Sequence, residues 1–244
     1  MDILRVVSLL LDYPQPQLQQ ASDELLAIVQ QSTLSAAQQQ QLCEFITERS
    51  QSDLMDWQSE YDSLFERGRS LSLLLFEHLH GESRDRGQAM VELLKQYQQA
   101  GLDIDVRELP DHIPLYLEFL STQGEENARL GLAEIAHILS VLLCHLEQRD
   151  SNYQALFAAL VELSGVEVEL DPLRDQLKTE PADYTNEALD KVWEEEMVTF
   201  GPGAEGDGCA GTNKPTETQR RDQQVPLQWT DAAPQSSTNV QSGV

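Results

Sequence analysis

Basic residues are scarce in this 244-residue chain: 16 Lys and Arg stand against 42 Asp and Glu, for a formal net charge of −26. Nucleic acid and anionic membrane surfaces are therefore disfavoured as partners, because binding them depends on Lys and Arg displacing phosphate counterions. Cysteine is scarce too. Cys43, Cys144 and Cys209 are odd in number, far apart and without a Cys-x-x-Cys pair. That argues against disulfides and a thiolate zinc site, and it suits a reducing cytoplasm. No stretch reads as the roughly 20 apolar residues of a membrane span, so no stable membrane insertion is expected. The opening Met1-Asp2-Ile3-Leu4-Arg5 also lacks the basic start and cleavage site of a signal peptide.

The common catalytic constellations are missing as well. There is no Gly-x-Ser-x-Gly elbow, Walker loop or His-Glu-x-x-His, so no catalytic residue is assigned and the chain does not read as an enzyme. Gly201-Pro202-Gly203-Ala204-Glu205-Gly206 fits Gly-x-Gly-x-x-Gly but has neither the strand before it nor the helix after it that a dinucleotide site needs. His78 and His80, two apart on a helix, would point to nearly opposite sides and could not share an ion. His137, Cys144 and His145 would share a face, yet no fourth ligand falls at matching spacing, and no metal is expected. Asp111 beside His112 reads more simply as an N-cap followed by a junction residue than as an acid-base pair.

What the chain does have is helical spacing. Nearly every segment before residue 165 carries it, and the fold class is all-α. A first helix places Ile3, Val6, Val7, Leu10 and Leu11 on one side; a second is expected over Gln17 to Val29; Ser35 is read as an N-cap. Leu71, Leu73, Leu74, Leu75, Phe76 and Leu79 cover almost a whole circumference, which predicts a central buried helix over Ser70 to His80. Gly101 and Gly165 are expected helix stops, and two longer helices are expected near Glu125 to Leu146 and Asn152 to Ser164. The predicted domains are a helical core at 1–165, an acidic helical extension at 166–200 and a disordered low-complexity tail at 201–244. The tail holds three Lys and Arg and five Asp and Glu, which leaves −24 on residues 1–200.

Between two apolar helices, Gly81 to Gly87 forms a charged turn, with Arg67, Arg69, Arg84, Arg86, Lys95 and Arg107 balanced by Glu77, Glu82, Asp85, Glu92, Asp103 and Asp105. It reads either as a salt-bridged corner fixing two helices or as the polar rim of a binding groove.

The run Leu64-Phe65-Glu66-Arg67-Gly68-Arg69-Ser70-Leu71-Ser72-Leu73, continuing through Leu75 to Met90, resembles the signature of respiratory nitrate reductase delta subunits. These are the NarJ-type molybdenum cofactor assembly chaperones of the redox enzyme maturation family. Glu108-Leu109-Pro110-Asp111-His112 through Leu120 extends the likeness and is similar to the Glu-Pro-x-Asp-His element of the wider family, from whose spacing Leu109 and Pro110 depart. Trp193-Glu194-Glu195-Glu196 and Phe200-Gly201 are similar to the end of the family's body. The resemblance implies a single-domain helical bundle with a disordered C-terminal tail. It further implies a cytoplasmic, system-specific chaperone that binds the apo catalytic (alpha) subunit of membrane-bound nitrate reductase, including its N-terminal segment. The alpha-beta complex is a further candidate partner. Such a chaperone would bind no cofactor stably, would promote insertion of the molybdenum bis-molybdopterin guanine dinucleotide cofactor before membrane docking, and would not remain in the finished enzyme. A helical adaptor for another partner is the alternative. Partner-binding candidates are Arg67, Arg69, His78, Glu82, Arg84, Asp85, Arg86, Glu108, Asp111, His112 and Phe119.

Overall fold

Apolar stripes at helical spacing leave each helix one face to bury, and in the computed structural model those faces meet around a single long helix. The structure describes residues 1–79, 84–104 and 108–196, without the side chains at 84 and 192–196; the expected tail and its glycine motif lie outside the described residues. The helices are α1 (Asp2–Leu11), α2 (Pro16–Gln20), α3 (Ser22–Gln30), α4 (Ala36–Gln51), α5 (Leu54–Phe65) and α6 (Leu75–Leu79). After them come α7 (Arg84–Gln99), α8 (Ile113–Thr122), α9 (Glu125–Gln148), α10 (Gln154–Ser164), α11 (Leu170–Leu177) and α12 (Asn186–Glu196). The all-α fold class is thus found, and several boundaries fall where local chemistry put them. Ser35 Oγ accepts from Gln38 N at 3.4 Å to start α4, and Gly101 and Gly165 take left-handed conformations after α7 and α10. The second helix instead divides at Ala21 into α2 and α3.

At 24 residues, α9 is about 36 Å long. It packs against α8, α10, α11 and α6, while α1 packs on α8, α3 and α10. Contrary to the expectation that no stretch would suit a membrane, α9 is long and apolar enough to cross one by length and composition. Its apolar circumference is explained by neighbours on several sides, and Leu132, Leu139, Leu142 and Leu146 are fully buried.

Where α8 crosses α9, the spacing is set by Gly131. A Cβ there would lie 2.5 Å from Leu120 Cδ2 and 3.0 Å from the Tyr116 hydroxyl, and that hydroxyl donates to the Gly131 carbonyl at 3.3 Å. Leu120 and Tyr116 are buried and have little room to yield. Gly131→Val is expected to destabilise the fold by about 1–3 kcal/mol through overpacking, despite removing a helix-interior glycine. A urea denaturation midpoint equal to that of the parent would refute this.

The buried run at Ser70 to His80 is corrected by the structure. Among the described residues of that run only Leu75–Leu79 is helical; before it the chain is non-helical and forms an isolated antiparallel bridge between Leu74 and His112. Ile113 N donates to Leu73 O at 2.8 Å and Leu75 N to Asp111 O at 2.9 Å. A short extended segment covered on both faces produces the same continuous apolar run as a buried helix, so periodicity could not separate them.

A candidate docking groove beside an interior carboxylate

That bridge places the two resemblance blocks side by side. Asp111 does not cap α8; the N-cap residue is His112, with no side-chain bond. The Asp111 side chain is instead fully buried, and its Oδ2 accepts from Phe76 N at 3.2 Å, in the first turn of α6. Arg86 reaches it from α7, with Nη2 at 3.9 Å, and also pairs with Glu77 at 3.5 Å. One carboxylate therefore ties α6, α7 and the start of α8 together, giving physical form to the salt-bridged corner. Asp111 Oδ1 has no hydrogen-bond partner among the described residues. Asp111→Ala is expected to cost about 1–3 kcal/mol by removing the acceptor that Phe76 N bonds and the charge beside Arg86, and Asp111→Asn, which keeps an acceptor, less than half of that. Equal unfolding midpoints for the two variants would show that the hydrogen bond contributes nothing.

Immediately outside lies a groove of about 440 Å3. Its walls are Arg5, Ser8 and Leu9 from α1, Asp12 just beyond its end, Leu74, then Glu108, Leu109 and His112, with Pro114, Leu115 and Glu118 from α8. Ser8 Oγ donates to Pro114 O at 2.7 Å, fixing one wall to the other. Leu9 and Leu109 are 43% and 44% exposed, which leaves apolar surface on both sides of the groove available to a partner. Asp12, Glu108 and Glu118 outnumber Arg5 at the rim. Burial pulls the His112 imidazole below its usual range against the opposing pull of Asp12 and Asp111, so it is neutral near pH 7. The arrangement suits an apolar segment carrying positive charge.

The other candidates separate. Phe119 belongs to the core, its ring tilted against those of Tyr97 at 4.7 Å and Tyr116 at 6.3 Å. Asp85 and Arg67 are exposed. Arg69 and His78 line a larger cavity of about 780 Å3 with His137, His145 and Arg149, where His78 Nε2 contacts Ser72 O at 2.8 Å. Glu82 lies outside the described residues, as does the Arg84 side chain. The structure therefore joins Arg86 to Asp111, Glu108 to His112, and Arg69 to His78, as three separate groups.

Sequence reading missed the α1 wall. Its signal was Leu9, an apolar residue off the stripe of Ile3, Val6, Val7, Leu10 and Leu11. Among the described residues no three His, Cys, Asp or Glu side chains converge as a metal site requires. Cys144 is a buried thiol whose pKa is raised by desolvation, and it is not poised as a nucleophile.

Comparison with known proteins bears on the same region. The family described as nitrate reductase delta subunit matches residues 30–159, more than half of the chain. The probable nitrate reductase molybdenum cofactor assembly chaperone NarW of Escherichia coli K12 is 44% identical over 200 residues, covering 82% of this chain and 84% of that protein. The nitrate reductase molybdenum cofactor assembly chaperone NarJ of the same strain is 47% identical over 198 residues, covering 81% and 84%. A crystal structure assigned as a redox enzyme maturation protein from Archaeoglobus fulgidus aligns with a TM-score of 0.47 at 22% identity, over 67% of this chain and 92% of that one. A family match over more than half of the chain, with relatives 44–47% identical over about four fifths of it, establishes that the chain belongs to the nitrate reductase delta subunit family.

Proposed function

We propose that this chain is a system-specific assembly chaperone of nitrate reductase and not an enzyme. Its relatives at 44–47% identity are named as molybdenum cofactor assembly chaperones. The client is the apo catalytic subunit, and its N-terminal segment docks in the groove between α1 and α8. The groove's exposed leucines within an acidic rim carry this part of the reading: apolar anchors supply affinity, and the rim, on a body of net charge −24, accelerates encounter with a basic amphipathic segment.

Holding the client in the cytoplasm before membrane docking leaves time for the molybdenum bis-molybdopterin guanine dinucleotide cofactor to enter. The cofactor is cargo for the client, not a resident group of the chaperone. The alpha-beta complex, presenting the same segment, is a second form of the client.

Titration calorimetry with a synthetic peptide from the start of the catalytic subunit should show saturable binding that weakens as salt rises. Absence of binding both to that peptide and to the apo subunit would overturn the proposal. A pull-down recovering only an unrelated protein would favour a helical adaptor. Deleting the chain should leave the nitrate reductase short of molybdenum, and a full molybdenum content would refute the maturation role.

A further inference from the structure

After α10 the chain runs from Gly165 to Lys191 with Leu177 as its one buried residue, so few contacts hold α11 and the residues beyond it. Arg174 of α11 grips Glu147 of α9 at 2.7 and 2.8 Å. Among the described residues the other polar attachment is Asp183. Its Oδ2 accepts from Arg69 N and Ser70 N, both at 2.7 Å. Its Oδ1 accepts from Ser70 Oγ at 2.7 Å and from Arg149 Nη2 at 3.4 Å. Arg149 Nη2 also donates to Ser70 Oγ at 2.8 Å, and the guanidinium lies 3.9 Å over the ring of Tyr184.

The receiving cradle is built independently of the segment it receives. Gly68, at φ +83°, turns the chain so that two successive N–H groups face one point, and a Cβ there would lie 2.8 Å from Asp183 Oδ2. Arg149 sits just past α9, where Asp150 takes a left-handed φ of 49° and Ser151 N closes on Leu146 O at 3.1 Å. Paired backbone donors, a hydroxyl and a guanidinium form a strong carboxylate receptor. Burial pushes the Asp183 carboxyl up, but the bonds from Ser70 and Arg69 with the Arg149 charge hold it below the usual carboxylate range.

Between Leu177 and Asp183 the segment forms one wall of the 780 Å3 cavity, contributing Lys178, Glu180, Pro181 and Ala182 opposite His78, His137 and His145. We infer that residues 178–184 are a latch over this cavity, closed by the Asp183 carboxylate in the Gly68–Ser70 cradle and able to open while the helical core stays folded. Segments with few buried apolar contacts open locally at a fraction of the global unfolding free energy, and here one carboxylate carries most of the closure.

His137 is exposed and His145 is half-buried, so the two histidines provide an internal comparison. Removing the charge from such a knot should raise the open population about tenfold. Asp183→Asn is expected to raise the carbethoxylation rate of His145 by about that factor, with His137 little changed. Amide exchange across 178–190 should rise in parallel, and Arg149→Gln should act in the same direction. The global unfolding midpoint should stay at the parental value. Unchanged His145 labelling and exchange in both variants would overturn the latch. So would a collapse of the midpoint with faster exchange throughout α9 and α10, because the segment would then be part of the core.

Discussion

Replacing Trp57 with alanine is expected to lower the unfolding free energy by about 3–5 kcal/mol. That is a large fraction of the roughly 5–15 kcal/mol that holds a folded domain together. Trp57 is 1% exposed, and its Nε1 donates to the Tyr153 hydroxyl at 2.7 Å across 96 residues of sequence. Tyr153 in turn meets Phe45 and Phe65 edge-on at 5.0 and 5.1 Å, so α4, α5 and the approach to α10 converge on one aromatic cluster. Arg49 closes it. Its guanidinium lies 5.1 Å over Phe45 and 5.2 Å over Tyr153, pairs with Glu60 through both terminal nitrogens at 2.6 and 2.8 Å, and also donates to Asn152. Alanine at 57 would leave a cavity and strip the buried Tyr153 hydroxyl of its donor. Trp57→Phe refills part of the volume but not the hydrogen bond, and should cost about 1–3 kcal/mol. Urea denaturation distinguishes the two; a loss under 1 kcal/mol for Trp57→Ala would mean the cluster is not a stability centre.

Much of the helical architecture was legible because its signals are local. Ser35 caps α4, glycines follow α7 and α10, and apolar residues of α9 and α10 recur at helical spacing. Arg49 was not legible, since nothing in a polar helix such as α4 marks which arginine turns inward; its partners come from α5 and from Asn152. The same limit explains Asp111. Its neighbours in sequence suggest a cap for the helix that follows, but the amide it receives belongs to Phe76, brought there by the Leu74–His112 bridge. Asp183 lies in a segment that composition marks only as acidic, and its role depends on a cradle more than 110 residues earlier. Of the candidate site, Glu108 and His112 were legible through resemblance, whereas the α1 wall became visible only when α1 packed on α8.

Leu9 and Leu109, on opposite sources of the groove wall, should carry most of the client affinity. Under the docking proposed above, changing both to lysine is expected to weaken binding of the client's N-terminal segment by about 100-fold or more. Each lost leucine anchor removes about 1.5 kcal/mol or more of apolar burial, and the added ammonium groups repel a basic segment while offsetting the acidic rim. Both side chains are substantially exposed, so the unfolding midpoint should move little. The rim should behave differently. Glu108→Gln with Glu118→Gln removes charge without removing anchors, and should slow association at low salt while leaving dissociation nearly unchanged. Stopped-flow or surface-based kinetics separate the two, because anchors act mainly on the dissociation rate and long-range charge on the association rate. If the Leu9→Lys, Leu109→Lys double variant binds as tightly as the parent, the client does not use this groove. If the two glutamine changes raise dissociation instead, Glu108 and Glu118 make direct contacts rather than steering the approach.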